Sequence, residues 1–541
     1  LSTQAEPRLA TDGGPVAEGA LLHRLRRLPR PSRRTLLLTL LCFAVTFGTG
    51  MRAWSSVGLG GFDLGIFDQG VRGYAHFQLP VSTLKWYHHN FPPGFSLLGD
   101  HFSPVLALLA PLYWIWDDPR SLLLGQALLF AAGVPLIRRI ARHNFAHADQ
   151  RLRDRAADLA GLVYGLGWPL LVASQVGFHE VGFAVPLSLL MLERGMARRY
   201  GTLLVAAVLL CCTKEDMGLA VSAYGVVLLW RHRRTPEQRR ARLVGGVLLV
   251  MGVTFTVLAV QWAIPAMGGE PGYYWNYQTL GPNASGAVHN VLHDPALLWH
   301  AATDHALKPL LVLWLFGTLA LLPLRSATVL CALPLLAERV LSTNPNHWSV
   351  ARHYDAFLWP FLLTAAIEVL ARMHARGRTT AVPRLGVSLA AFSLLASVPL
   401  GLMELAIPSN WTAQHDEKSL IKAASLIPSG VWVEADNQIA PRLTARDHVV
   451  LVDQVPRGCE YVLIRTKNRS FPFASPTEQA ARAQLLLANG YQQVWSSADG
   501  GVLLLHRVGD QPIPGEHVPG PGSKPIQDVV PGDVGHDLFK G

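Results

Sequence analysis

The sequence predicts an α-helical polytopic membrane protein of about eleven spans, followed by a small α/β domain. Three observations lead there. Half of the 541 residues are hydrophobic and only 16% are charged, against roughly 25% charged in ordinary soluble domains. Runs such as Thr35–Thr46, Ser121–Ile137 and Leu243–Val260 carry no ionisable side chain, and a span needs ~20 mostly apolar residues. The arginine clusters behind the net charge of +10 lie in short loops between those runs. That is the pattern of positive-inside topology, not of a nucleic-acid surface. The expected surroundings are the lipid bilayer, with no nucleic-acid partner. The five cysteines form no disulfide framework and no CxxC pair, so neither a stapled fold nor a zinc site is expected.

The elements follow in order. Residues 1–34 are basic, polar and Pro-containing, and read as a disordered cytoplasmic arm. Spans are expected at 35–53, 121–140, 157–175, 181–194, 201–213, 217–230, 243–263, 309–323, 326–341, 354–373 and 385–403, making 35–403 the transmembrane domain. The basic loops 138–155, 196–200, 231–242 and 371–384 then share one side with the N-terminal arm, and the loops 54–120, 176–180, 264–308 and 342–353 share the other. That places the N-terminus in the cytoplasm and residues 404–541 outside it. Residues 103–116 would invert every later loop if they spanned, so they are expected as a juxtamembrane helix within the first outer loop, 54–120. Residues 404–507 alternate between helical and strand patterns and read as a small α/β domain. Its Asp436 and His448 are expected to be ordinary surface residues. Residues 508–541 are rich in Gly, Pro and Asp without an apolar period, and read as a disordered tail.

Polar residues collect on the outer side of this topology. The first outer loop carries GGFDLGIFDQG with Asp63 and Asp68, then LGDHFSP with Asp100 and His101. GFHE supplies His179 and Glu180, CTKEDMG supplies Lys214, Glu215 and Asp216, and WSVARHYDA supplies Arg352, His353, Tyr354 and Asp355. Each has a bland alternative: Asp63 and Asp100 as helix caps, His179 and Glu180 as interfacial polar groups. KED resists it, because a charge costs ~2.5–3.5 kcal/mol at mid-span and a plain turn needs only Gly, Asn or Ser. Ionisable groups at membrane depth mark function by default. The loop 268–283, GGEPGYYWNYQTLGPN, suits stacking on sugar faces, and equally an interfacial aromatic belt.

In that order, FDLGIFDQ, GDHFSP, FHE, KED and RHY resemble a widespread bacterial family of uncharacterised "predicted membrane proteins", a domain-of-unknown-function family, over roughly 35–470. That family looks like a branch of the GT-C superfamily of membrane glycosyltransferases, with its protein O-mannosyltransferases, aminoarabinose transferases and oligosaccharyltransferases. The resemblance implies a bacterial plasma-membrane protein with a GT-C-like fold. In those enzymes a catalytic aspartate follows the first span, and Asp63 matches it. The second acidic motif is His179-Glu180 here, and the later hairpin lysine finds its match in Lys214. Neither a DxD nor a WWDxG-type motif is present, so metal dependence and peptide acceptance do not carry over.

The function so implied is transfer of a sugar from a polyprenyl-phosphate-linked donor to a glycan, lipid or protein acceptor on the outer face. Asp63, Glu180 and Asp68 are the catalytic candidates. Lys214, Arg352, His101 and His179 would hold the donor phosphate. Asp100, Glu215, Asp216, His353 and Tyr354 would orient substrate. A divalent metal, Mg or Mn, is left open as a cofactor. The rival readings are a membrane transporter and a non-catalytic scaffold for envelope assembly.

Overall fold

The computed structural model describes residues 32–234, 238–270 and 272–526. The helices in chain order are α1 (Arg33–Ser55), α2 (Ile66–Ala75), α3 (Thr83–His88), α4 (Ala110–Ile115), α5 (Arg120–Asn144), α6 (Gln150–Gly165), α7 (Trp168–Gln175), α8 (Val181–Met196), α9 (Tyr200–Cys211), α10 (Met217–Arg231), α11 (Arg239–Leu258), α12 (Ala284–His293), α13 (Ala296–Thr303), α14 (Leu307–Gly317), α15 (Leu333–Val340), α16 (Tyr354–Ala375), α17 (Ala381–Ser397), α18 (His415–Ala424) and α19 (Pro476–Ala488). Among the described residues, six helical stretches are long and apolar enough to cross a membrane: Arg33–Ser55, Arg120–Asn144, Gln150–Gln175, Arg239–Ala266, Tyr354–Ala375 and Ala381–Ala406. Each coincides with an expected span. The shorter α9, α10 and α14 also follow the sequence reading.

The boundaries have local causes. Ser32 caps α1 by accepting from the Thr35 N–H, and Asp149 caps α6 by accepting from Leu152. The break between α6 and α7 falls at Leu166-Gly167, where Pro169 starts the next helix, the position at which a missing N–H is harmless. One apolar core joins α5, α8, α10 and α16. Their C-terminal ends meet around a cavity of about 590 Å³ lined by His143, Met196, Arg198, Arg231 and Arg372. The arginines that set the topology therefore gather at one end of the bundle.

The expected span at 326–341 is not one continuous helix. The chain there forms a 3₁₀ segment, Ala327–Cys331, and then the eight-residue α15, far short of the ~20 residues a span needs. Arg339 of α15 is buried against Asp355 of α16 in an ion pair, and Ser326 and Thr328 bond Glu368. These polar ties run along α16 from Glu368 to Asp355 and hold the broken segment against it.

The α/β domain carries five strands, β1 (Trp432–Ala435), β2 (His448–Leu451), β3 (Tyr461–Arg465), β4 (Tyr491–Ser496) and β5 (Val502–Arg507), in the order β2-β1-β3-β5-β4. β1 runs parallel to β2 and β3, and β5 is antiparallel to β3 and β4. β4 was not expected: its YQQVWS is polar, and Gln492, Gln493 and Val494 face solvent. Asp436 is fully buried on Arg465 through two 3.1 Å bonds, not at the surface. The segment 508–526 is no disordered tail. Ile513 packs in the domain core, and the Ile526 N–H donates to the His89 carbonyl at 2.7 Å. Residues 527–541, like 1–31 of the expected arm, lie outside the described residues.

The domain sits on the first loop. Val57, Ile66, Leu84 and Leu97 share one apolar cluster with Ala423, Val433, Leu463 and Leu504. Buried His88 bonds Asp453 at 2.8 Å across the junction, and Thr83 and Gln69 both donate to the Val449 carbonyl.

Candidate functional site

Asp63 sits in a turn just past α1, in a π-helical segment, Gly61–Gly65, whose helical geometry breaks at Phe62 and Asp63. Its φ of 143° and ψ of −85° belong to a region that L-residues seldom enter, and such strain gathers at functional sites. The carboxylate is 41% exposed and lies 3.4 Å from His179 Nε2. The buried His179 ring stacks on His353, with centroids 3.6 Å apart, and its Nδ1 finds no hydrogen-bond partner among the described residues.

Three helix N-termini converge on this turn. Glu180, Asp216 and His353 precede α8, α10 and α16, and none of the three side chains caps its helix. Lys214 pairs with Asp216 at 3.1 Å. Burial works against its charge, but Asp216, Glu215 and Glu180 outweigh burial and hold the ammonium well above the usual lysine range. Tyr354 lies within the fields of Lys214, Asp63, Arg352 and Glu180, which ties four sequence-distant segments to one place. Half-buried Arg352 makes no ion pair among the described residues. Asp216 faces Glu338 of α15.

A second cluster adjoins the first through the KED turn. His101 Nδ1 meets Glu215 at 2.8 Å, and Glu215 also accepts from the Phe102 N–H at 3.1 Å. Burial opposes both charges, yet each partner stabilises the other, so His101 is raised and Glu215 is lowered. The His101 ring stacks on Tyr274 at 4.6 Å. Asp100 takes Lys85 at 2.9 Å and bonds the Tyr274 hydroxyl. The loop 268–283 thus brings at least Tyr274 to the site.

Eleven of the twelve candidates therefore fall into two adjoining clusters: Asp63, His179, Glu180, Lys214, Asp216, Arg352, His353 and Tyr354 in one, and Asp100, His101 and Glu215 in the other. Asp68 is excluded. It is completely buried, held by Arg72 at 3.1 and 3.2 Å and by the Tyr113 hydroxyl at 2.7 Å, five positions along a helical path that turns it away from Asp63. Lys85, Tyr274 and Glu338 were missed. Glu338-Arg339 inside an apolar run was the available signal, since the cost that singles out KED applies there too. Among the described residues, the one set of three ligand atoms within 4.8 Å of one another is His415, Asp416 and Asp499 on the α/β domain.

A family model described as "Predicted membrane protein (DUF2079)" matches residues 54–503. No curated protein matches the sequence. Among solved structures, the chain is similar to ArnT from Cupriavidus metallidurans bound to undecaprenyl phosphate, at 13% identity over 91% of this chain and 99% of that one, with a TM-score of 0.46. It is also similar to the archaeal oligosaccharyltransferase AglB from Archaeoglobus fulgidus in complex with an inhibitory peptide and a dolichol-phosphate, at 12% identity over 89% of this chain and 75% of that one, with a TM-score of 0.42.

Proposed function

The chain belongs to the DUF2079 family of predicted membrane proteins, and from that premise we propose that it is a GT-C-type glycosyltransferase. It moves a sugar from a polyprenyl-phosphate donor to an acceptor hydroxyl on the outer membrane face. One observation carries the reading: a strained, half-exposed carboxylate, Asp63, shares its cluster with Lys214, with Arg352 and with three helix N-termini. A base beside a cationic, dipole-lined recess suits the replacement of a phosphate by a hydroxyl.

In this mechanism Asp63 takes the acceptor proton as the acceptor oxygen bonds to the sugar's anomeric carbon. The bond from that carbon to the phosphate oxygen breaks, and polyprenyl phosphate leaves with the electron pair. Arg352 offers a planar fork to the phosphate and Lys214 a point charge, with the ends of α8, α10 and α16 adding their dipoles. His179 holds Asp63 in place. The proton on Asp63 then passes to water. Tyr274 and His101 form the stacked wall on which a sugar ring would lie. No step is routed through a metal.

The test is transfer by the full chain in proteoliposomes, with a radiolabelled polyprenyl-phospho-sugar extract as donor. Arg352→Ala should weaken donor binding about tenfold or more, the worth of one charge-assisted contact. Asp63→Asn should bind donor normally and transfer nothing measurable. Wild-type protein that neither binds polyprenyl phosphate nor transfers sugar, or transport of the sugar across the vesicle instead, would overturn the reading.

A further inference from the structure

We infer that Asn437 of the α/β domain is a positioning residue for Asp63, so that the domain and the membrane bundle form one catalytic unit. The inference rests on the reading of Asp63 as the base.

The strained turn is held from outside. The Gly61 N–H donates to the Asn437 carbonyl at 2.6 Å, and the Phe62 N–H donates to Asn437 Oδ1 at 2.9 Å. These are the two amides just before Asp63. A turn in an unfavourable conformation persists only when its surroundings over-determine it, and here one residue supplies two of the restraints. Contact is closest at the glycines. A Cβ on Gly61 would lie 2.6 Å from Ala440 Cβ, and one on Gly60 would lie 2.7 Å from Asn437 Nδ2. The sequence GGF lets the two backbones meet where any other residue would wedge them apart.

Asn437 is rigidly presented in turn. Its neighbour Asp436 is buried on Arg465 and accepts from the Gln438 N–H at 3.0 Å. Ile439 and Ala440 are fully buried. On the loop side, Arg442 donates to the Trp54 carbonyl at 2.6 Å. Phe62 packs edge-on against His88, 5.4 Å between centroids, and His88 is fixed by Asp453. The turn is thus gripped on both flanks by one domain, and the grip ends at Asp63. The domain itself lends the site no acid or base in this arrangement.

Asn437→Ala removes the acceptor of Phe62 and leaves the Gly61 bond to the backbone. In the full chain in proteoliposomes it should lower kcat by about 10²-fold, the usual cost of misplacing a reacting group by an ångström. KM for the donor should move by less than about twofold, since Arg352 and Lys214 are untouched. Asn437→Asp keeps an acceptor oxygen and should restore most of the turnover, whereas Asn437→Gln, which displaces it, should not. A second readout needs no transfer: carbodiimide modification of Asp63, followed by peptide mass spectrometry, should speed up several-fold in Asn437→Ala as the turn relaxes into solvent. If Asp63→Asn is inactive while Asn437→Ala keeps wild-type turnover and labelling, the inference alone fails. It also fails if Asn437→Asp is as damaged as Asn437→Ala. If Asn437→Ala does not insert, normal turnover in Asn437→Gln overturns it. If Asp63→Asn itself transfers sugar, the functional reading falls first.

Discussion

Replacing Asp63 by glycine should make the protein more stable and inactive at once. The residue sits at φ 143° and ψ −85°, a conformation that costs a non-glycine residue about 1–3 kcal/mol. Glycine adopts it freely but loses roughly 0.4–1 kcal/mol through its more disordered unfolded chain. The contact with His179, at 3.4 Å with the carboxylate 41% exposed, is worth about 0–1 kcal/mol after solvent screening. The midpoints leave a net gain of about 1 kcal/mol, a rise of a degree or two in melting temperature for a chain of this size. Asp63→Asn is the control. It keeps the strain and most of the volume, so its melting temperature should match wild type while transfer falls by about 10²–10⁴. The assay is thermal unfolding of the three purified proteins in one detergent, beside turnover at matched reconstitution. A glycine variant that melts several degrees below wild type would refute the reasoning, because the turn would then be relaxed or the carboxylate structural.

Asp68→Ala should behave in the opposite sense. It takes a fully buried carboxylate from the partly exposed Arg72, which keeps Asp117, and from the Tyr113 hydroxyl, and should cost about 1–3 kcal/mol, visible as a drop of a few degrees in melting temperature with turnover per folded molecule retained. The His101–Glu215 pair should give a pH signature. Glu215, lowered from 4.5, contributes stability above about that pH and loses it as pH falls through its lowered value. His101, raised from 6.5, contributes fully below that pH and loses it as pH rises through the raised value. The melting-temperature gap between wild type and Glu215→Gln should therefore be widest near pH 5–6 and close on the alkaline side, in melts from pH 5 to 9. Single cysteines at 415 and 490 should react with an impermeant reagent in intact cells and one at 240 should not. Labelling at 240 would put the motifs on the wrong face.

Much of this was legible because it is written in local pattern. Long uncharged runs specify spans, and arginines at one end of each specify direction. The placement of the α/β strands follows from alternation in VWVEA, HVVLVD and YVLIRT. What escaped depends on partners distant in sequence. Residues 326–341 look apolar enough to form one spanning helix, but the chain is a 3₁₀ segment followed by a short helix, with Thr328 tied to Glu368 and Arg339 to Asp355. Strand β4 is polar because it lies at an edge and pairs only with β5, so its alternation never forms. Asp436 resembles a loop acid until Arg465, 29 residues on, buries it. The segment 508–526 has the composition of disorder, yet its backbone bonds to His89 and Asn90, and hydrogen bonds to a distant loop leave no trace in composition. Asp63 was legible as a residue and illegible as a geometry: no residue pattern announces a positive φ at a non-glycine position.

The electrostatics of the site bear on how it could receive a phosphate. Asp63, Glu180 and Asp216 face Lys214 and Arg352, which by side chains alone leaves one negative charge, hostile to an anionic donor. Three helix N-termini add roughly half a positive charge each and turn the balance slightly positive. The first N–H groups of these helices turn to local carbonyls, Gly182 to His179, Met217 to Lys214 and Ala356 to His353, so the helix ends offer the recess their dipole field and not free donors. A transporter site at the midplane would be ringed by helix middles, where side chains alone must cancel the charge of the cargo. Here the polar groups stand at helix ends, with the arginine-lined cavity at the opposite ends of α5, α8, α10 and α16. That asymmetry suits a ligand whose charged head stops at one surface while its tail stays in the bilayer.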